Sequence, residues 1–299
     1  MGGNIMKHFK KMTLFDTGLA FCMLIVIVLT LYPFLNILAI SLNNAVDTAK
    51  GGIHIFPREF TFANYIQIFG SNDRLLQAFL MSVTRTVVGT ATGIIASTML
   101  AYTLSRRDFV FNKPIAVMLI LTMFISGGLI PDYMLIRHLG LMNEFAVYIL
   151  PMLLSAFNVI IIRSFMDNLP VALEESAKID GANDFTIFIR IILPLCMPVI
   201  ATISLFLAVG QWNSWFDTYL YARSNANLTT LQYELMKILD NSSTSGSGVD
   251  TQSAKYLVNQ TNPQSLKMAI TIIATVPILV VYPFLQKYFV TGMTLGAVK

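Results

Sequence analysis

Six stretches of this chain are apolar over lengths that suit a bilayer: roughly Leu14–Leu42, Leu75–Leu104, Pro114–Ile130, Phe145–Phe165, Leu195–Leu220 and Leu266–Val290. A spanning helix needs about 20 mostly apolar residues to cross a hydrocarbon core about 30 Å thick. Lipid offers no hydrogen bonds to the backbone, and a helix satisfies its own N–H and C=O groups. The rest of the composition agrees. Of 299 residues, 55% are hydrophobic and only 12% charged, whereas a soluble domain carries about 25% charged residues. Mean hydropathy is +0.67. The expected fold class is therefore all-α, a polytopic membrane protein with six transmembrane helices. Residues 1–13 form a terminus, 14–290 one membrane domain and 291–299 a tail.

Several function classes lose support at once. The formal net charge is +4, but the basic residues form no patch interleaved with aromatics, so nucleic acid is not an expected partner. Cys22 and Cys196 lie in apolar runs and read as packing residues, with no disulfide or metal spacing. His8, His54 and His138 are scattered and fit no triad or metal site. Met118, Met123 and Met134 have no regularly facing partners and read as core filling rather than a soft-metal path. Neither a catalytic nor a metal site is expected. The basic start "MGGNIMKHFKK" precedes an apolar run without a small-residue cleavage site, which reads as a retained helix. Met6 stands where N-myristoylation needs Ser or Thr.

Lys and Arg near the helix ends set orientation. With both termini on the cytoplasmic side, that side holds 11 basic residues in short segments, against 8 spread over longer loops outside. Arg223 to Ser265 is then an extracytoplasmic loop containing "DNSSTSGSGVDTQS", a flexible-linker composition. The stretch 167–194 falls inside the cell.

That inner stretch includes "EESAKIDGANDFTIFIRIILP", a polar interruption between two apolar runs. Pro170 suits the first position of a helix. Glu174 precedes Lys178 by four residues, the favourable order for an exposed pair. Leu173, Ala177 and Gly181 share a face whose small residues would admit a close partner. Gly181 can end the helix in a left-handed cap, and Asn183 or Asp184 can start the next. The expectation is a helix–turn–helix elbow presenting Glu175 and Asp180.

The elbow resembles the EAA loop of bacterial ABC import permeases: Glu, two small residues, three of any kind, Gly, nine of any kind, then Ile-x-Leu-Pro. Glu175, Ser176, Ala177, Gly181, Ile191, Leu193 and Pro194 keep every spacing, with Ser176 for the usual Ala. "MFISGGLIPDYMLIRHLGL", "GQWNSWFD" and "YPFLQKYFVTGMTLGAVK" are similar to the carbohydrate-uptake branch, the LplC-like permeases related to the maltose-importer permease. The resemblance implies a second homologous permease subunit, two ATPase subunits, an extracytoplasmic solute-binding protein and a carbohydrate substrate, most naturally an oligosaccharide. It places the chain in a bacterial cytoplasmic membrane. The sequence holds no G-x-x-x-x-G-K-[ST] loop, so ATP and Mg would be bound by the partner ATPase, and no cofactor by this chain.

Two sets of site residues follow. For ATPase coupling they are Leu173, Glu175, Ala177, Asp180 and Gly181. For the substrate pathway, polar and aromatic residues near apolar runs are the default candidates: Arg85, Asn158, Gln211, Trp212, Asn213, Trp215 and Asp217. An Arg85 facing the cavity would favour an acidic sugar. Tyr219 and Tyr221 fit an interfacial aromatic belt better. An ion-coupled secondary transporter would place coupling carboxylates inside spans, where acids are nearly absent, and a non-transport receptor would not need the elbow. A permease for a non-sugar solute is the alternative reading within importers.

Overall fold

The computed structural model describes residues 14–70, 73–106, 108–244 and 263–295. The N-terminal basic segment, most of the linker composition after Ser242 and the last four residues lie outside them. Contacts divide the chain into two units, Met1–Ile68 with Val249–Ile272, and Phe69–Gly248 with Ile273–Lys299. Described residues are almost entirely helical, without a strand beyond one isolated bridge between Asn43 and Phe60.

In the first unit, α1 (Leu14–Ser41) is an apolar helix whose first 21 residues are exposed, as a lipid-facing surface requires. The polar stretch after it is held by asparagines. The Asn36 side chain donates to the carbonyls of Ile53 and His54 at 2.8 and 2.9 Å. Asn64 donates to those of Ser41 and Asn43 at 2.9 and 3.0 Å. Asn43 donates to Asp47, which also accepts from Arg58 Nε at 2.9 Å. Asp47 sits in the short helix α2 (Ala45–Thr48), and α3 (Ala63–Gly70) follows. Turns that sequence alone leaves open are thus fixed by amides that satisfy backbone carbonyls.

The second unit is built on α4 (Asp73–Ser105). After it come α5 (Asn112–Phe124), α6 (Leu129–His138), α7 (Ala156–Asp167), α8 (Ala172–Ile179) and the helical run α9 (Asp184–Leu195). The order ends with α10 (Met197–Asn213), α11 (Phe216–Tyr221), α12 (Leu231–Thr244) and α13 (Pro263–Leu295), of which α13 begins in the first unit. Helices α4, α7 and α10 pack together around Ala101, Leu104, Val159, Ile162, Cys196, Val199 and Ile203.

Expected span boundaries shift where backbone chemistry breaks an apolar run. The run expected at Pro114–Ile130 stops as a helix at Phe124 and resumes at Leu129 beyond Ser126-Gly127-Gly128. In the run expected at Phe145–Phe165, Phe145–Tyr148 is a 3-10 turn, and regular helix begins only at Ala156, past Pro151. The run expected at Leu195–Leu220 breaks at Ser214, which is extended. Three described helices are long and apolar enough to cross a membrane, and the count reaches five if α7 with α8 and α9 with α10 each form one bent span.

Those bends are 75° and 80°. The second has a visible cause. The helix is already loosened by a π turn at Phe188–Ile192. At the break at Cys196, Pro198 has no N–H to give the Pro194 carbonyl, against which its ring would clash. Pro198 then falls in the first turn of α10, where a missing donor costs nothing.

Candidate functional site: an open elbow and a sealed junction

The elbow is α8, a turn and α9. Gly181 has φ +81°, and its N–H donates to Lys178 O at 3.0 Å while Ala182 N donates to Ala177 O at 2.9 Å. This is the left-handed termination that glycine permits. Asn183 caps α9 by accepting from Thr186 N at 2.8 Å. Pro170 sits just ahead of α8 and accepts from Leu173 N at 3.2 Å.

The exposed pair expected between Glu174 and Lys178 does not form. Glu174 pairs with Arg106 beyond the end of α4, and Lys178 reaches Asp184 at 3.6 Å across the turn. Arg106 also lies over the Tyr102 ring at 4.3 Å. A closer partner in a less hydrated place wins over an exposed i,i+4 pair, which is worth only about 0.3–0.5 kcal/mol.

The elbow has two unlike faces. Ala177 is buried and belongs to the core with Tyr102, Ile187 and Phe188. The expectation that Ala177 shares a partner-facing surface with Leu173 and Gly181 is therefore corrected: its methyl is the weld to the permease itself. Opposite it, Glu175 is exposed and Ile179 reaches 86% exposure; Asp180, Gly181 and Leu173, which is 38% exposed, lie at the helix ends on the Ala177 side and stay accessible.

The junction lies where α10 gives way to α11. Arg85 of α4 is 0% exposed. Its Nη2 and Nη1 donate to Asp217 Oδ2 and Oδ1 at 2.6 and 3.2 Å, a fork matched to a carboxylate. Its Nε and Nη2 donate to Gln211 Oε1 at 3.1 and 2.9 Å, and Nη1 reaches Ser214 O at 3.4 Å. The guanidinium also stacks over the Tyr148 ring, 4.3 Å from its centroid. Gln211 Nε2 donates to Tyr148 O at 3.1 Å, and Tyr148 OH to Leu228 O at 2.7 Å. Breaking a helix at Ser214 leaves carbonyls without intrahelical donors, and the arginine fills part of that need. Gly89, one turn beyond Arg85, makes room: a Cβ there would lie 2.6 Å from Gln211 Nε2.

This geometry corrects the placement of Arg85 on an open pathway. Its charge is spent on Asp217, so it offers nothing to an acidic ligand in this conformation. Gln211 and Trp212 are buried too, and Trp212 Nε1 donates to Ala274 O at 2.8 Å. Asn158 is also buried, at 6% exposure. Asn213 is exposed, and its Oδ1 accepts from Gln232 Nε2 at 3.4 Å. Trp215 is half-buried, edge-on to Phe216 at 5.6 Å. Sequence reasoning missed Tyr148, Gly89 and the Ser214 carbonyl, none of which carries a local signal. Among the described residues no cluster of His, Cys, Asp or Glu could hold a metal.

Comparison with known proteins fits this architecture. The chain is 39% identical over 97% of its length to the polygalacturonan/rhamnogalacturonan transport system permease protein YtcP of Bacillus subtilis (strain 168), covering 99% of that protein. It is 41% identical over 91% of its length to protein LplC of the same organism, covering 90% of it. In fold it is similar to a chain of a crystallised bacterial ABC transporter involved in the import of the acidic polysaccharide alginate. There the TM-score is 0.83 and the identity 26%, over 92% of this chain and 96% of that one. Residues 11–295 match the family described as the binding-protein-dependent transport system inner membrane component, and the chain belongs to that family.

Proposed function

We propose that this chain is a permease subunit of an ATP-binding-cassette importer and forms, with a second homologous permease, the path for an acidic oligosaccharide. Two ATPase subunits supply the energy and bind ATP and Mg, while a solute-binding protein delivers the sugar. The substrate class follows the relatives, which handle polygalacturonan or rhamnogalacturonan and alginate. Six crossings, with both termini in the cytoplasm, put the elbow on the side of the ATPases.

The observation that carries the mechanism is the two-faced α8. One face is welded into the core through Ala177 and tied to the α4 end through Glu174 and Arg106. The opposite face presents Glu175 and Ile179 to the surroundings, and Leu173 and Asp180 stay exposed at the helix ends. A push on the outer face is transmitted to α4 and, through α9, to α10. Glu175 and Asp180 meet basic groups in an ATPase cleft, and Leu173 and Ile179 bury apolar surface there. Gly181 permits the turn between lever and arm. Asn158, Asn213 and Trp215 stay as candidate path residues, whereas Arg85, Gln211, Trp212 and Asp217 hold the helices that frame it.

Purification and reconstitution test this reading. The chain is expected to co-purify with a second permease and an ATPase, and sugar uptake into proteoliposomes is expected to require ATP. Uptake driven by a proton or sodium gradient, with no ATPase recovered, contradicts it.

A further inference from the structure

A chain of ring contacts runs beside the sealed junction. Trp215 meets Phe216 at 5.6 Å, Phe216 meets Tyr219 at 6.1 Å, and Tyr219 meets Tyr233 of α12 at 6.3 Å. The outer members are accessible: Phe216 is 43% and Tyr219 44% exposed, while Tyr233 is buried and anchors the row. Burial pushes the Tyr233 hydroxyl above its ordinary pKa. Two cations lie on these rings, Arg223 over Tyr219 at 5.6 Å and Lys237 over Tyr233 at 4.7 Å. Lys237 is neutralised by Glu234. Arg223 is exposed, and among the described residues no carboxylate pairs with it.

We propose that Trp215, Phe216, Tyr219 and Arg223 form an entry platform for an acidic saccharide: the rings cover C–H faces of successive sugar units and Arg223 binds a uronate carboxylate. The reading rests on the proposed import function and names the surface that selects its substrate. Of the two cations described on these rings, Lys237 is committed to Glu234, as Arg85 of the neighbouring junction is to Asp217, which leaves Arg223 for an anion from outside. A guanidinium held about 6 Å from a ring centroid gains cation–π attraction, which positions its fork before ligand arrives. Carbohydrate binding is a fitting use of partly exposed aromatics, which offer large, rigid, amphipathic area at low entropic cost. A lipid-anchoring belt would use the same rings without any need for charge recognition, so charge is what the test must read.

The test uses the reconstituted complex with its binding protein, and measures uptake of trigalacturonate and of its neutral methyl ester. Arg223→Gln is expected to raise the half-saturation concentration for the acid roughly tenfold, in line with one charge-assisted contact, with the ester changed less than twofold. Arg223→Lys should restore most of the acid uptake, and Tyr219→Leu should weaken both probes. If the complex carries the acid alone, the contrast between the Gln and Lys variants decides. Wild-type kinetics for the acid in Arg223→Gln, or equal losses for acid and ester, overturn the platform and leave a membrane-anchoring or structural role. Failure of the unmodified complex to import either probe instead overturns the acidic-saccharide reading on which the platform depends.

Discussion

The junction at Arg85 and the elbow at Gly181 are both polar interruptions of an apolar chain, and they handle charge in opposite ways. At the junction every charge finds an internal partner: Arg85 is fully buried, and the Asp217 side chain is only 11% exposed. At the elbow only Glu174 has a close partner, Arg106, and the other charges are loosely paired or unpaired among the described residues. Lys178 and Asp184 are 49% and 68% exposed and 3.6 Å apart, while Glu175 and Asp180 face outward. A buried pair holds helices in register and is costly to disturb, whereas exposed charges cost the isolated subunit little and remain available to another surface. The same sequence signal, a few polar residues among many apolar ones, therefore marks an enclosed ion pair in one place and exposed charge in the other.

The sharpest way to break this contrast is to remove half of the buried pair. Arg85→Gln leaves Asp217 without its cation and is expected to destabilise the complex by about 3–5 kcal/mol, seen as a large loss of thermal stability in detergent. Arg85→Met with Asp217→Leu should recover part of it, and a stable single mutant would show that the pair does not hold the helices in register. Gly89→Ala should come next, at about 1–3 kcal/mol, because its Cβ must push Gln211 off Arg85. At the elbow, Gly181→Val is expected to cost only about 1–2 kcal/mol, from a β-branched residue at φ +81°. Yet it should lower sugar uptake more than ATP hydrolysis, since the strain falls on the lever. The smallest stability effect is expected for Glu175→Gln with Asp180→Asn, within about 0.5 kcal/mol as for other surface changes. That double variant should still bind the ATPase less tightly, with the deficit fading at high salt.

How much was legible in the sequence follows the same division. The elbow's turn was legible because its determinants are local: Gly181 and Asn183 act through bonds to residues within five positions. The spacing also defined a helical face holding Leu173 and Ala177. It could not say that the core would take Ala177, because an amphipathic pattern identifies faces without naming their neighbours. Glu174 chose Arg106 over Lys178 for the same reason. Arg85 and Asp217 are 132 residues apart, and no periodicity links them, so Arg85 read as a free intramembrane charge. The apolar runs predicted helices correctly in kind, but their ends depended on Ser126 to Gly128, on Pro151 and on Ser214, which hydropathy averages away.

The central claim is that an energy-supplying subunit grips the exposed face of α8 from the cytoplasm. Ile179, 86% exposed at the elbow tip, gives direct access to it. In a background with Cys22 and Cys196 replaced by Ala, Ile179→Cys would be treated with a membrane-impermeant maleimide. The account expects no labelling from outside intact cells, rapid labelling of the separated permease, and strong protection once the ATPase is assembled. Labelling from outside, or an undiminished rate in the assembled complex, would contradict it.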